Sequence, residues 1–285
     1  MTVTAPSIPL DHGGPPSAGI AAAGGTASVL TTASQVARRS LRKFRRTPQL
    51  LVINTMQGAM FLLIFRYVFG GAIDTGSIPY VDFLIPGFVM TSVLFAGTAT
   101  SAGVAEDLEG GFYDRLRSLP VSRTALLFGR TVAETGLLTW GLIVTTAIGF
   151  AVGFRIHGDV PEALLAFGLC VLFGFAFTWL FVLLGLVAGN AQAAQGMSLL
   201  VFPFTFVSSA YVPVDSMPGW LQPIAENQPI TAMVNAVRAL ALGGTDAAQL
   251  SGSTAHWVVL SLLWSAGIVL AFAPLAVARY RSTTR

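Results

Sequence analysis

Along this chain, six long apolar stretches alternate with short polar connections. A helix needs about 20 apolar residues to cross a hydrocarbon core of roughly 30 Å. The stretches predict spans near Leu50 to Phe69, Phe83 to Val104, Leu126 to Phe154, Ala163 to Val187, Gly196 to Val212 and Trp257 to Val277. The fifth is short for a crossing and is interrupted at Phe202-Pro203-Phe204. Broken helices at bilayer depth often line a pathway, because their freed backbone groups need protein or water as partners. That makes Phe202, Pro203 and Phe204 pathway candidates; an ordinary packed proline kink is the alternative.

Ahead of the first span, Val29, Leu30, Ala33, Val36, Ala37, Leu41 and Phe44 recur at helical spacing, while Arg38, Arg39, Arg42, Lys43, Arg45 and Arg46 crowd the rest. This pattern predicts an amphipathic helix lying on a membrane surface, with a plain topogenic charge cluster as the alternative. Residues 1–28 are rich in Gly, Ala, Pro and Thr and hold no Lys or Arg, so they predict a disordered tail rather than a secretory signal. Residues 29–285 then form one membrane domain. Toward its end, Ile230, Met233, Val234, Val237, Leu240 and Ala241 form one helical stripe opposite Asn235 and Arg238. A short amphipathic helix dipping into the membrane interface is expected there, with Trp220 at headgroup depth.

Charge orients the bundle. Numbering the connections alternately puts thirteen of the sixteen Lys and Arg residues on one side, in the groups Arg38 to Arg46, Arg115 to Arg130 and Arg279 to Arg285. The other side receives Arg155 and Arg238, while Arg66 sits at the end of span one, within snorkelling reach of that surface. Such asymmetry places both termini inside. With charged residues at 10% of the chain, too little remains to solvate a soluble bundle. A net charge of +3 reflects cations facing an anionic leaflet and implies no nucleic acid. Fifteen arginines against one lysine suit a GC-rich bacterial gene and hence a bacterial plasma membrane.

The chemistry of catalysis is missing. His12, His157 and His256 lie in the tail or outer connections, with no paired metal-ligand spacing, so no metal site is expected. The only lysine, Lys43, follows Arg42 rather than a glycine-rich loop, so the chain cannot hydrolyse ATP by itself. Glu134, near an inner end, is the one acid within the spans, which leaves an ion-coupled carrier without its usual relay. The lone Cys170 reads as a small buried hydrophobe. Energy for any pumping must come from elsewhere.

The segment Glu106-Asp107-Leu108-Glu109-Gly110-Gly111-Phe112-Tyr113-Asp114-Arg115-Leu116-Arg117-Ser118-Leu119-Pro120-Val121-Ser122-Arg123 joins spans two and three on the inner face. Leu108, Phe112, Leu116 and Leu119 give it a narrow apolar ridge able to dock in a partner's groove; Gly110 and Gly111 either weaken the middle of that helix or mark its start, and Pro120 stops it. A solvated connector whose cations serve topology is the alternative reading. Arg130 and Glu134 form a candidate i,i+4 pair nearby.

This segment, followed by Gly129-Arg130, resembles the inner motif of type-2 ABC exporter permeases, above all the daunorubicin-resistance-like permeases of actinobacteria. Met217-Pro218-Gly219-Trp220-Leu221, Asn227-Gln228-Pro229-Ile230-Thr231 and Ala236-Val237-Arg238-Ala239-Leu240 resemble the family's outer loop, and Phe69-Gly70-Gly71-Ala72 is a third, shorter likeness. The resemblance covers roughly Ser34 to Arg281; Arg66 stands where the family usually has an uncharged residue. It implies an all-α membrane protein of six transmembrane helices with an N-terminal interfacial helix, a cytoplasmic coupling helix and short outer re-entrant or interfacial helices. It further implies two partner ATPase subunits, which bind the ATP and Mg, and a second permease, identical or paralogous. The ATPase-coupling residues would be Glu106, Asp107, Gly110, Gly111, Phe112, Arg115, Leu116, Pro120 and Arg123. The outer gate would be Trp220, Asn227, Pro229, Thr231 and Arg238. An apolar or amphipathic cargo, drug or lipid, suits the aromatic and aliphatic wall. A channel or carrier that needs no ATPase is the second reading. A membrane transferase is a third, for which Asp74, Asp82, Asp159 and Asp215 are too scattered.

Overall fold

The computed structural model describes residues 58–73, 75, 78–111, 123–243 and 252–283. The expected tail, the interfacial helix and Phe112, Arg115, Leu116 and Pro120 lie outside the described residues. Among the described residues every regular element is helical. In chain order these are α1 (Gly58–Phe69), whose last turn widens to π spacing over Phe65–Phe69, then α2 (Tyr80–Glu109), α3 (Arg123–Ala151) and α4 (Val160–Ala188). There follow α5 (Ala191–Ser198), a 3-10 turn at Leu199–Val201, α6 (Phe202–Phe206), α7 (Gln222–Glu226), α8 (Pro229–Leu242) and α9 (Thr254–Thr283).

Four helices, α2, α3, α4 and α9, are long and apolar enough to cross a membrane. They coincide with the second, third, fourth and sixth apolar stretches. The α1 helix is a shorter apolar one, and residues 50–57 of its stretch lie outside the described residues. The fifth stretch differs from expectation. Its helical run starts at Ala191 rather than Gly196 and stops at Phe206 rather than Val212. Sixteen residues at about 1.5 Å each rise roughly 24 Å, short of the hydrocarbon core. Pro203 has no N–H to give back to the preceding turn, and beyond Phe206 the backbone finds side-chain partners instead of helical ones.

The α4 helix is central, packing on α2, α3, α5, α8 and α9. Its start is set by Asp159, whose N–H donates to the Glu162 carboxylate at 3.0 Å, and by Pro161 in the first turn. Gly189, at φ 80, ends it in a left-handed turn, and the Asn190 side chain then accepts from the Ala193 N–H at 2.7 Å to start α5. Glycines bring helices close. At Gly97 and Gly185 a methyl group would overlap the Phe181 ring and the Ser101 carbonyl, so α2 and α4 touch almost backbone to backbone. The α3 and α9 helices are peripheral, with Trp140, Ile143, Leu263 and Leu270 turned outward, as a lipid-facing surface requires.

Two expectations are corrected here. Of the two starts that the sequence offers for the inner helix, the acidic residues are not one: Glu106, Asp107 and Glu109 are the last turn of α2, and the break falls at the alternative, Gly110 and Gly111, the latter at φ 62. Glycine alone takes that conformation cheaply, so the chain turns there. The second concerns α8. Its polar face with Asn235 and Arg238, expected on an amphipathic helix in the membrane interface, is not open at a surface, because every residue from Ile230 to Leu242 is buried among α2, α4 and α9. Its last turn is closed by the α3–α4 connection, where the His157 and Gly158 N–H groups both donate to the Ala241 carbonyl, at 2.8 and 3.2 Å.

Candidate functional site

Among the described residues, two polar clusters interrupt this apolar bundle, one at each end. The first surrounds α8. Thr231, Asn235 and Arg238 stand at i, i+4 and i+7, so they share one stripe of that helix. All three meet Ser209 in the non-helical stretch after α6. The Ser209 N–H donates to Thr231 Oγ1 at 3.2 Å, its hydroxyl donates to Asn235 Oδ1 at 2.8 Å, and its carbonyl accepts from Arg238 Nη2 at 2.8 Å.

Arg238 is 0% exposed, and among the described residues no carboxylate pairs with it. Its guanidinium is satisfied by neutral acceptors. Nε and Nη2 donate to the Phe83 carbonyl at 3.1 and 2.9 Å, Nη1 donates to Asn235 Oδ1 at 3.0 Å, and Cζ lies 3.6 Å from the Phe83 ring centroid. The Phe83 carbonyl lies in the first turn of α2, where Arg238 of α8 reaches it. One side chain thus ties α2, α8 and the Ser209 stretch together.

The rest of that stretch is laced equally tightly. Gln228 Nε2 donates to the Val207 carbonyl, the Tyr211 hydroxyl donates to Thr91 Oγ1 at 2.8 Å, and the Tyr80 hydroxyl donates to the Tyr211 carbonyl at 3.3 Å. A methyl at Gly87 would overlap the Ala210 carbonyl. Non-helical backbone at membrane depth is tolerated when protein groups replace the missing helical bonds, and here they do.

Of the residues expected at an outer gate, Thr231 and Arg238 are brought together and Pro229 begins the helix carrying them. Asn227 closes α7, donating to the Pro223 carbonyl at 2.8 Å, and Trp220 stands 74% exposed away from the cluster. Asn235, which the sequence places on one face with Arg238, belongs to it, as do Gln228, Ser209 and Phe83, which were not among the expected gate residues. The polar spacing Thr231, Asn235, Arg238 in an apolar helix was the available signal. Arg155, the other cation that the sequence assigns to the outer side, turns its guanidinium back onto the α3 end, donating to the Phe150 and Phe154 carbonyls at 3.2 and 2.9 Å.

The expected pathway residues divide. Phe202 packs on Phe95 of α2 at 4.0 Å between centroids, and from there rings continue through Phe206, Tyr211 and Phe65 to Phe69. Phe204 and Pro203 face outward from the bundle. Arg66, half-buried in the π turn, lies 5.9 Å from the Tyr67 ring centroid.

The second cluster is at the α2–α3 hairpin end. Arg130 pairs with Asp107 across the two helices, and its Nη2 is 3.5 Å from Glu134 Oε1, so the expected i,i+4 pair is present but carries a third member. The Thr100 hydroxyl reaches Glu134 Oε2 at 3.4 Å. Glu106, Gly110 and Gly111 lie beside this cluster, and Arg123 begins α3.

An α-helical bundle with four helices long and apolar enough to cross a membrane, a buried α8 and charges held at one hairpin has the architecture of a multi-pass membrane protein. Residues 32–242 match the family model described as ABC-2 type transporter. The chain belongs to that family, as a non-catalytic membrane component. It is 32% identical to the daunorubicin resistance ABC transporter permease protein DrrB1 of Streptomyces coeruleorubidus, over 86% of this chain and 84% of that protein. It is 26% identical to the probable doxorubicin resistance ABC transporter permease protein DrrC of Mycobacterium tuberculosis (strain ATCC 25618 / H37Rv), over 70% of each. It is 28% identical to the inner membrane transport permease YadH of Escherichia coli (strain K12), over 73% of this chain and 82% of that protein.

Proposed function

We propose that this chain is the membrane subunit of an ATP-driven exporter in the bacterial plasma membrane, moving an apolar or amphipathic cargo such as a drug or lipid outward. It crosses six times with both termini cytoplasmic: α1 belongs to the first crossing, and α5 and α6 make the fifth together with the non-helical stretch through Val212, which supplies the length that the helical run lacks. Two ATPase chains, which bind the ATP and Mg, dock beneath the α2–α3 connection. A second permease, identical or paralogous, completes the path.

The match to the ABC-2 family across 32–242 carries this reading, since it takes in both polar clusters. Relatives named for daunorubicin and doxorubicin resistance support an amphipathic, polycyclic cargo. Mechanistically, ATP-driven closure of the ATPases shifts the hairpin end and biases a two-state bundle toward an outward-open form. The run of rings from Phe95 to Phe69 then offers apolar surface alongside the moving helices.

Inside-out vesicles holding this chain with its partner ATPase test the proposal. ATP-dependent accumulation of a fluorescent anthracycline is expected only when both proteins are present. Accumulation by this chain alone would establish the channel or carrier reading instead. Orientation is checked with Phe112→Cys and Trp220→Cys: an impermeant maleimide should reach the first only from the cytoplasmic side and the second only from outside.

A further inference from the structure

Asp107 is two residues from the end of α2, and Arg130 lies two turns into α3. The two helices therefore meet through a charge pair just inside the connection they share. Thr100, Gly103 and Asp107 occupy one stripe of α2, and Arg130 and Glu134 one stripe of α3. Gly103 leaves room for the guanidinium: a methyl there would sit 3.1 Å from Arg130 Nη2. Side-chain exposures of 13%, 20% and 15% for Arg130, Asp107 and Glu134 keep the trio largely out of water, where pairing is screened less than at a surface.

Beside it lies a small apolar core separate from the main one. Val104 of α2, Leu127 of α3, Leu186 of α4, and Ala276 and Tyr280 of α9 pack together there. Members from all four crossing helices share it, so a displacement of α2 and α3 as one body reaches α4 and α9 through direct packing. If α2 and α3 splay apart, the same displacement is absorbed at the hairpin.

We infer that the bridge from Arg130 to Asp107 clamps the α2–α3 hairpin, and that Arg130 and Asp107 are positioning residues that convert a displacement imposed by the ATPases at this hairpin end into movement of the whole bundle end. This rests on the exporter reading above. It assigns the pair a role in coupling rather than in cargo binding, so the quantity it controls is cargo moved per ATP hydrolysed. Glu134, hydrogen-bonded to Thr100, keeps Arg130 aimed at Asp107 and leaves the cation flanked by two acids.

The test uses the complete complex in vesicles, with cargo accumulation and phosphate release measured in the same sample. Asp107→Asn and Arg130→Gln should each lower cargo moved per ATP about tenfold or more while hydrolysis continues. The swap Asp107→Arg with Arg130→Asp again puts a cation between two acids, and it should return the ratio to within about threefold of the parent. A wild-type ratio in Asp107→Asn, or a swap no better than the single variants, overturns the inference. Should the charge variants fail to assemble, Asp107→Cys with Arg130→Cys in a Cys170→Ser background can be joined by a short reducible thiol linker. Joined complexes should transport, and the same complexes should uncouple after reduction. Transport unchanged by reduction, or absent while joined, counts against the clamp. Loss of ATP-driven accumulation in the parent complex would instead sink the exporter reading itself.

Discussion

Replacing Arg238 by Met removes the side chain that joins three segments of the bundle. The Phe83 and Ser209 carbonyls lose a charged donor, while Asn235 Oδ1 keeps the Ser209 hydroxyl. A buried acceptor deprived of its donor costs about 1–3 kcal/mol, and bonds to charged groups lie toward the upper part of the range. Against this, methionine removes the desolvation cost of a buried cation, and what stays behind is neutral rather than an unpaired charge. A net loss of roughly 2–4 kcal/mol follows. Arg238→Lys should be no better, because an ammonium cannot span the Phe83 carbonyl, the Ser209 carbonyl and Asn235 from one position and is harder to dehydrate. Thermal unfolding of the purified chain in detergent should show Tm falling by roughly 5–10 °C in both variants. The damage should also be local: a cysteine at Ser209, buried in the parent, should label far faster in the Arg238→Met background. A Tm within about 1 °C of the parent with unchanged labelling would refute the argument that this cation holds the stretch in place.

Other perturbations probe the same packing. Gly87→Leu drives a side chain into the Ala210 carbonyl, and an overpacking cost of about 1–3 kcal/mol should appear as a lower Tm with faster labelling at Ser209→Cys. Gly158→Val meets the Leu240 carbonyl and should loosen the end of α8; hydrogen exchange of the Ala239 to Leu242 amides would rise, and unchanged protection would count against closure of that turn by His157 and Gly158. Cys170, 2% exposed between α2, α3 and α4, should stay unlabelled by maleimide in folded protein and react fully once denatured; ready labelling in the native state would disprove that packing.

The four crossing helices were legible in the sequence because a bilayer imposes a one-dimensional constraint: length and apolarity must coincide within each segment, whatever its neighbours. Thus α2, α3, α4 and α9 appear where the hydrophobic pattern puts them, and Arg130 with Glu134 follows from helical spacing alone. The family likeness at 106–123 and 217–240 was readable for a similar reason, since short motifs are local. Tertiary structure decided the rest. Helical periodicity placed Arg238 opposite an apolar stripe, yet whether that face meets water or protein depends on α2, α4 and α9 closing around it. Its main acceptor, Phe83, lies 155 residues away and comes within reach only when α2 and α8 pack together. Asp107 likewise joins Arg130 from another helix, and the fifth stretch ends at Phe206 because distant side chains take over the backbone of Ser209. Local pattern sets which face of a helix is special; only the packed neighbours determine what that face does.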